Sequence, residues 1–364
     1  MTTITRRLFV SGAAATFAAP ASLRATAAWA QSAEQKIGQL LILGFYGSDP
    51  SASQARALAR HIGSGHAGGV VFLRHNVKSR RGVEGLTALF REAGGRTPPM
   101  LSIDQEGGKV QRLGTKLGYT DIPEAGRVSA RYSPAQARDL YKAAGRELRA
   151  SGFNVNLAPA VDLHDPNNPV IGRYERAYGT DPKTVAAYGE AFIEGMGAAG
   201  VGCVAKHFPG HGTSRGDSHD GFVNITRTWR GEELEPFRAL ARVAPMVMGG
   251  HLVHSELTGK RPVTFSRELL EDTLRGQLGF TGAVMTDDLD MGAIRNNYPM
   301  RDAIIASVAA GNDLILMSNS AKPDPDFARV ANGWIARAVK DGELTPARID
   351  QAHQRVMRVK RQLG

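Results

Sequence analysis

The residues best suited to chemistry lie in one short segment, 206–219, which reads KHFPGHGTSRGDSH. The segment holds a lysine, three histidines and an aspartate, separated by three glycines and a proline. Glycine and proline at this density disfavour a helix or a central strand, so we predict a loop that follows a buried strand at 201–205. Loops at the carboxyl ends of strands carry the catalytic side chains of many enzymes.

Asp217 precedes His219 by two residues within this loop. At that spacing the carboxylate can accept a hydrogen bond from one ring nitrogen, fix the tautomer and raise the proton affinity of the imidazole. Such a pair can act first as a general acid and then as a general base. The same spacing also occurs in exposed Asx turns that have no catalytic role, and the residues alone leave both interpretations open.

The histidines of the loop could instead bind a metal ion, with His207, His211, Asp217 and His219 as ligands. The H-x3-H spacing suits a helical zinc site, but the Pro209–Gly210 pair prevents the helix that would align the two rings. We therefore expect neither a metal nor another cofactor. Lys206, at the end of a strand, is better placed to bind a hydroxyl or carbonyl group of a substrate.

Two adjacent acids, Asp287 and Asp288, directly follow the apolar strand candidate 283–286. Successive side chains of a strand point to opposite sides, so only one of the two can face a shared site. A carboxylate in that position can act as a nucleophile on an anomeric carbon. In the alternative interpretation one of the acids, Asp288, caps the following helix.

An acidic and a basic side chain, Asp104 and Arg112, flank a glycine pair in the segment IDQEGGKVQR. Together they could hold neighbouring hydroxyl groups of a sugar, because the glycines allow close approach of the chain. A structural ion pair that ties down the loop is an equally good explanation of this spacing.

The elements that must position these residues alternate regularly along the chain. The strand candidates are 40–45, 69–73, 100–104, 155–161, 201–205, 245–250, 283–286 and 314–317, and amphipathic stretches between them include 83–93, 134–150, 183–198, 232–243 and 267–278. Eight strands alternating with helices predict an α/β fold, a single-domain (β/α)8 TIM barrel, with a doubly wound open sheet as the alternative. In a barrel, the polar strand ends would meet at one face.

The composition is that of an ordinary globular enzyme, except for the first thirty residues. Residues 1–30 have paired arginines (Arg6 and Arg7), an Ala-rich apolar stretch without acids and an A-x-A end, which predicts a cleaved twin-arginine-type signal peptide. The stretch is too weakly apolar for a stable membrane anchor. We expect transient contact with export machinery, a periplasmic location and a catalytic domain at 31–364.

The charge and the cysteine count exclude several classes of function. Removing the three arginines of residues 1–30 lowers the formal net charge from +10 to +7, and the remaining basic residues are scattered without interleaved aromatics. This pattern does not indicate nucleic-acid binding. The single cysteine, Cys203, excludes an intrachain disulfide and a cysteine-based zinc site, and its apolar surroundings predict a buried side chain. We expect a monomer.

Taken together, five motifs resemble glycoside hydrolase family 3, in its β-N-acetylglucosaminidase branch. They are IDQEGGKVQR (103–112), NPVIG with ERAYGTDP (168–182), AKHFPGHG (205–212), DSH (217–219) and TDDLDM (286–291). The resemblance implies a retaining mechanism on a TIM barrel, with Asp287 as nucleophile and His219, oriented by Asp217, as general acid/base. It carries the sugar-binding positions over to Asp104, Arg112, Arg176, Lys206 and His207. The segment 172–176 is longer than usual, so Arg173 competes with Arg176 for its position.

The resemblance implies an exo-acting enzyme that removes terminal GlcNAc from peptidoglycan fragments or chitooligosaccharides through a covalent glycosyl-aspartate. Its oligosaccharide substrate would be its main partner. A β-glucosidase or a phosphorylase on the same scaffold is the alternative, because a deprotonated histidine would not repel an incoming phosphate. A non-catalytic glycan-binding protein of the cell envelope is a third hypothesis, which the presence of Asp217, His219 and Asp287 disfavours.

Overall fold

The computed structural model describes residues 31–363, so the predicted signal peptide lies outside the described residues. From Ala33 onward, the described residues form one compact unit. Eight parallel strands follow one another along the chain: β1 Leu41–Leu43, β2 Gly69–Phe72, β3 Met100–Ile103, β4 Val155–Asn156, β5 Gly202–Phe208, β6 Met246–Gly249, β7 Ala283–Thr286 and β8 Ile315–Met317. Among residues 31–363, no helix is long and apolar enough to cross a membrane.

The strands form one nearly closed barrel. Each strand from β1 to β6 pairs in parallel with the next, and β1 also pairs with β8. A bridge between Met285 and Leu314 links β7 to the start of β8, with Thr286 N donating to Leu314 O at 3.0 Å. The prediction of a TIM barrel is therefore confirmed, and the open doubly wound sheet is wrong.

Helices surround the barrel and follow most of its strands. Their bounds are Ala33–Gly38, Ser53–Gly63, Arg80–Gly94, Ala125–Arg131, Pro134–Ala150, Pro182–Gly197, Glu235–Leu240, Ser255–Thr258, the π-helix Glu268–Gln277, Gly292–Arg295, Met300–Ala310, Phe327–Lys340 and Pro346–Gln362. Several begin where local chemistry requires it, since the side chains of Ser133, Asp181 and Thr345 accept bonds from the first turn and a proline follows each.

Apolar side chains fill the barrel and the layer around it. The inner cluster includes Val71, Met100, Val204 and Met285, and it continues into Val356 and Leu363 of the C-terminal segment. A larger buried cluster lies between the strands and the surrounding helices. Apolar side chains thus occupy the interior of the barrel and the end that the C-terminal segment covers. A polar site has room only at the opposite end, at the carboxyl ends of the strands.

Candidate active site

All eight predicted site residues line a single cavity of about 170 Å3 at the carboxyl ends of the strands. They are Asp104, Arg112, Arg176, Lys206, His207, Asp217, His219 and Asp287. The strand ends explain most of this convergence, since Asp104 follows β3, Lys206 and His207 lie in β5, and Asp287 follows β7. The loop that we predicted from Lys206 begins three residues later, because β5 continues to Phe208.

One wall of the cavity is a buried cluster of charged side chains centred on Lys206. The Lys206 Nζ atom lies 2.9 Å from Asp104 Oδ1 and 2.8 Å from Glu106 Oε1. Arg112 pairs with Asp104 at 3.0 Å, and Arg176 forms a bidentate pair with Glu106 at 2.7 and 2.8 Å. The short antiparallel pair Gln105–Gly107 and Val110–Gln111 places Glu106 and Arg112 in this cluster.

Pairing keeps these groups ionised despite their burial. Burial raises the pKa of Asp104, but Lys206 and Arg112 outweigh it and hold that pKa far below its ordinary value. Burial also raises the pKa of Glu106, but Arg176 and Lys206 bring it down to about 2. Burial lowers the pKa of Lys206, and the two carboxylates more than reverse this. The Nε of Arg112 is buried without a hydrogen-bond partner.

The choice between the two arginines of segment 172–176 favours Arg176. Arg176 lines the cavity and donates from Nη1 to the Val170 carbonyl at 3.2 Å. Arg173 is exposed, and its guanidinium lies 5.5 Å from the centre of the Tyr174 ring. The extra residues of this segment form a short 3-10 turn, Gly172–Tyr174, before Arg176.

A buried carboxylate, Asp162, anchors both His207 and the start of the loop. Its Oδ2 lies 2.7 Å from His207 Nδ1, and its Oδ1 accepts bonds from the backbone N–H groups of His207 at 3.2 Å and His211 at 2.7 Å. Burial raises the pKa of Asp162, but His207 and His211 outweigh it and bring it to about 2. His207 is thereby held with its Nε2 edge turned away from Asp162.

The first half of the loop is packed into the protein. The side-chain amide of Asn168 donates to the carbonyl groups of His211 at 2.8 Å and Ser214 at 3.2 Å. A Cβ atom at Gly212 would lie 1.9 Å from the Leu163 carbonyl oxygen, so only glycine fits there. His211 is buried, its Nδ1 lies 2.7 Å from Ser214 Oγ, and burial lowers its pKa to about 4. His211 therefore has a structural contact within the loop.

The second half of the loop presents Asp217 and His219. His219 Nδ1 lies 2.7 Å from Asp217 Oδ1, which also accepts from the His219 N–H at 2.9 Å. Burial raises the pKa of Asp217, but these bonds from His219 outweigh it and lower that pKa. The His219 side chain is 71% exposed, and its Nε2 remains for a substrate atom.

Asp287 borders the same cavity, directly after β7. Its Oδ1 accepts from the Asp288 N–H at 2.8 Å, and its own N–H donates to Gly249 O at 3.1 Å. Burial raises its pKa, but His251, His207 and His219 outweigh it, so the pKa lies below its ordinary value. A double-displacement reaction needs a nucleophile and a group that transfers protons, and an ionised carboxylate and a hydrogen-bonded imidazole in one cavity can supply them.

The idea that Asp288 caps the next helix is wrong. Its Oδ1 instead accepts from the N–H groups of Ser318 at 2.8 Å and Asp290 at 3.0 Å, which ties the β7 loop to the β8 loop. Helix Gly292–Arg295 is preceded by Met291 and has no side-chain cap. Burial raises the pKa of Asp288 to about 6.

Comparison with known proteins decides the family. A sequence model described as "Glycosyl hydrolase family 3 N terminal domain" matches residues 32–359. The chain belongs to glycoside hydrolase family 3. It is 34% identical to "Beta-hexosaminidase LpqI" of Mycobacterium tuberculosis, with 90% of this chain and 83% of that protein covered. It is 37% identical to "Beta-hexosaminidase" of Xylella fastidiosa strain M23, with 85% and 95% covered.

Solved structures of the same family show the same fold. A family 3 β-N-acetylglucosaminidase from a Paenibacillus species superposes with a TM-score of 0.83 at 35% identity, covering 92% of this chain. This chain spans 63% of the length of that structure. A β-N-acetylhexosaminidase from Beutenbergia cavernae gives a TM-score of 0.80 at 33% identity, with 91% of this chain and 99% of that one covered.

In this family 3 chain, sequence reasoning missed two carboxylates that hold the site together. Glu106 lies inside the QEGG motif, but only its partner Arg176, seventy residues away, reveals its role. Glu233 lies under the loop, bonded to Gly212 and Thr213, and no local pattern marks it. Among residues 31–363, no group of three or more His, Cys, Asp or Glu side chains is arranged to hold a metal ion.

Proposed function

We propose that the protein is an exo-acting, retaining β-N-acetylglucosaminidase. The observation that carries the proposal is that Asp287, the Asp217–His219 pair and the charged cluster around Lys206 all border one cavity. The chemistry of a glycosidase requires a nucleophile, a proton donor and a polar cradle for hydroxyl groups, and this cavity has one candidate for each. The names of the similar β-hexosaminidases support N-acetylhexosaminide as the substrate class.

The proposed reaction has two steps. In the first, an Asp287 carboxylate oxygen attacks the anomeric carbon while protonated His219 gives its Nε2 proton to the departing glycosidic oxygen. The bond to the aglycone breaks, and a covalent glycosyl-aspartate remains. In the second, neutral His219 takes a proton from water, whose oxygen attacks the anomeric carbon and releases Asp287 with retention of configuration.

Asp217 would support both steps by holding the His219 ring through Nδ1 and by stabilising its protonated form. The charged cluster would hold the remaining hydroxyl groups of one terminal sugar, since Lys206 keeps one N–H beyond its two carboxylate partners and Arg112 Nε is unpaired.

The test uses Asp287→Ala and His219→Ala with aryl N-acetylglucosaminides. Removing His219 should lower the rate on a poor leaving group by roughly 10²- to 10⁴-fold, the usual contribution of a general acid/base. Removing Asp287 should abolish turnover. It should also prevent the accumulation of a covalent intermediate, which mass spectrometry detects as an added sugar mass on the wild-type enzyme after incubation with a slow fluorosugar substrate. Near-full activity of Asp287→Ala would show that the nucleophile is wrong.

A second candidate activity, phosphorolysis, is favoured by one feature. The proposed base is an imidazole, it is neutral when deprotonated, and its side chain is 71% exposed, so a phosphate anion could approach without repulsion from a carboxylate. Formation of GlcNAc 1-phosphate in phosphate buffer would establish this activity, and free GlcNAc as the sole product would exclude it. Equal rates on glucosides and N-acetylglucosaminides would instead support a β-glucosidase.

We also propose that the enzyme acts outside the cytoplasm on peptidoglycan fragments or chitooligosaccharides. The proposal depends on the Arg6–Arg7 pair and the Ala-rich stretch of residues 1–30. Replacing both arginines by lysine should keep the protein in the cytoplasm, which fractionation of expressing cells measures. Unchanged export of that variant would contradict a twin-arginine signal.

A further inference from the structure

A buried carboxyl group that the proposed reaction does not use lies directly beneath the loop of the acid/base histidine. Glu233 is 1% exposed and belongs to the 3-10 turn Gly231–Leu234, outside the barrel strands. Its Oε2 accepts from the Gly212 N–H at 3.2 Å, and its Oε1 accepts from the Thr213 hydroxyl at 2.5 Å. Both partners lie in the loop that continues to His219.

The neighbouring residues show that this contact is built into the loop. Gly210 has a φ of 124°, and a Cβ atom there would lie 2.6 Å from the Glu233 carboxyl group, so glycine leaves the room that Glu233 occupies. Just before the turn, Trp229 Nε1 donates to the Pro209 carbonyl at 3.0 Å. The segment 229–233 thus holds the loop at three residues, Pro209, Gly212 and Thr213.

The carboxyl group has no cation to offset its burial. Within the part of the chain that the structure describes, no lysine or arginine forms an ion pair with Glu233. The charged group that acts on it across the loop is Asp162, a like charge, and the adjoining His211 is neutral near pH 7 because burial lowers its pKa to about 4. On its own turn, Glu232 pairs with Arg230 at the surface.

An unpaired buried carboxylate makes the fold less stable, so packing alone gives no reason for an acid here. What the carboxylate does provide is two accepted hydrogen bonds to consecutive residues at the base of the loop. The tip is held separately, since the carbonyl groups of His219 and Ser218 accept from the N–H groups of Gly292 at 3.0 Å and Ala293 at 3.2 Å. The loop is therefore fixed at its base by Glu233 and at its tip by the segment after Asp287.

We propose that Glu233 is a positioning residue for His219: its ionised carboxyl group fixes the base of the loop so that the imidazole reaches the glycosidic oxygen. The inference rests on the proposed function, because it requires His219 to be the proton donor. Burial raises the pKa of Glu233 to about 7, with Asp162 adding to the effect, so the group changes charge within the working range of an enzyme. Protonation removes one acceptor and loosens the loop.

The experiment compares two substrates that differ in their need for a proton donor. The dinitrophenolate group of a dinitrophenyl GlcNAc glycoside departs without protonation. The leaving sugar of chitobiose must be protonated as it departs. Glu233→Ala and Glu233→Gln are measured beside His219→Ala and the exposed control Glu232→Gln, with kcat/KM as the readout. Glu233→Gln keeps the side-chain volume, and circular dichroism checks that each variant is folded.

We expect Glu233→Ala to lower kcat/KM on chitobiose by about 10- to 100-fold, the effect of losing hydrogen bonds to a charged group, and on the dinitrophenyl glycoside by less than about threefold. The control should match the wild type on both substrates. In the wild type, kcat/KM on chitobiose should fall as the pH is lowered through about 7. The pH profile of Glu233→Gln should lack this decrease.

Each other outcome has a definite meaning. Equal losses on both substrates, or no loss, would overturn the positioning role of Glu233, provided that His219→Ala shows the dependence on the leaving group. If His219→Ala itself lowers both rates equally or neither, His219 is not the proton donor, and the proposed function and this inference both fall.

Discussion

The sharpest test of the charged cluster is to remove the negative charge of Glu106 while keeping its shape. In Glu106→Gln, the Lys206 ammonium and the Arg176 guanidinium lose a shared carboxylate that lies 2.8 and 2.7 Å from them. Both cations stay buried, with side-chain exposures of 5% and 12%. Lys206 keeps Asp104 as a partner, which Arg112 already shares, whereas Arg176 has no second ion pair among the described residues.

The loss of stability expected for Glu106→Gln can be worked out in two ways. The pKa of Glu106 falls from 4.5 to about 2 on folding, which corresponds to about 3 kcal/mol of stabilisation of its ionised form. Breaking one partner of a buried ion pair typically costs about 3–5 kcal/mol. We therefore expect the free energy of unfolding to fall by about 3 kcal/mol at pH 7. Because the folded pKa is depressed, this difference should be complete above pH 4.5 and disappear as the pH falls through about 2.

The assay is urea denaturation of the wild type and the variant between pH 3 and 7, followed by tryptophan fluorescence. Glu175→Gln is the matched control, since Glu175 pairs with Arg127 at 3.3 Å where both side chains are about half exposed. Such exposed pairs contribute about 0–1 kcal/mol. A Glu106→Gln variant no less stable at pH 7 than this control, or a difference that does not shrink with acid, would refute the reasoning.

Three further predictions concern the loop and the core. Glu233→Gln should become more stable than the wild type as the pH rises from 4.5 through about 7, by up to about 3 kcal/mol. The reason is that the pKa of Glu233 is raised in the folded protein, so the wild type loses folding free energy over this range and the neutral glutamine does not. Thermal unfolding across that pH range measures the difference. Gly212→Ala should lower the free energy of unfolding by about 1–3 kcal/mol and reduce activity, since its Cβ would meet the Leu163 carbonyl; an active and equally stable variant would contradict this. Cys203 is buried and burial raises the pKa of its thiol, so a thiol reagent should label it only after unfolding, and labelling of the native protein would show that the strand opens.

Much of the fold could be predicted because the local signals agreed. The strand Ala283–Thr286 is an apolar run with the bounds that we predicted. The helix Pro134–Ala150 also has its predicted bounds, because Ser133 and Pro134 mark its start. The fourth strand is shorter than predicted. Pro159 has no N–H to donate to a neighbour, so regular pairing ends at Asn156 although residues up to Val161 remain buried.

Other boundaries depend on contacts that the local sequence does not contain. The predicted helix over 232–243 is a 3-10 turn followed by helix Glu235–Leu240, because Pro236 lacks the N–H that would continue the preceding turn. The stretch 267–278 adopts wider π turns over Glu268–Gln277. The polar residues Lys206 and His207 suggested the end of a strand, whereas carboxylates that are distant in the sequence pair with both and allow β5 to bury them.

The same distinction separates the predicted site residues from the missed ones. Asp104, Lys206 and Asp287 could be found because polar residues at strand ends stand out against apolar runs. Glu106 and Glu233 could not, since their significance lies in Arg176, seventy residues away, and in Gly212, about twenty residues away. Partners of that kind become visible only when the chain has folded.

The loop is held in two ways, by the side chains of other segments at its base and by its own backbone carbonyl groups at its tip. Asp162, Asn168 and Glu233 fix residues up to Ser214, whereas the His219 side chain beyond them is largely exposed. Residues 215–220 can be varied on this frame, because Gly292 and Ala293 hold the tip through the backbone carbonyl groups of His219 and Ser218, which do not depend on the side chains there. Libraries confined to these six positions could move the proposed proton donor or reshape the entrance for new acceptors, while the charged cluster around Lys206 stays unchanged.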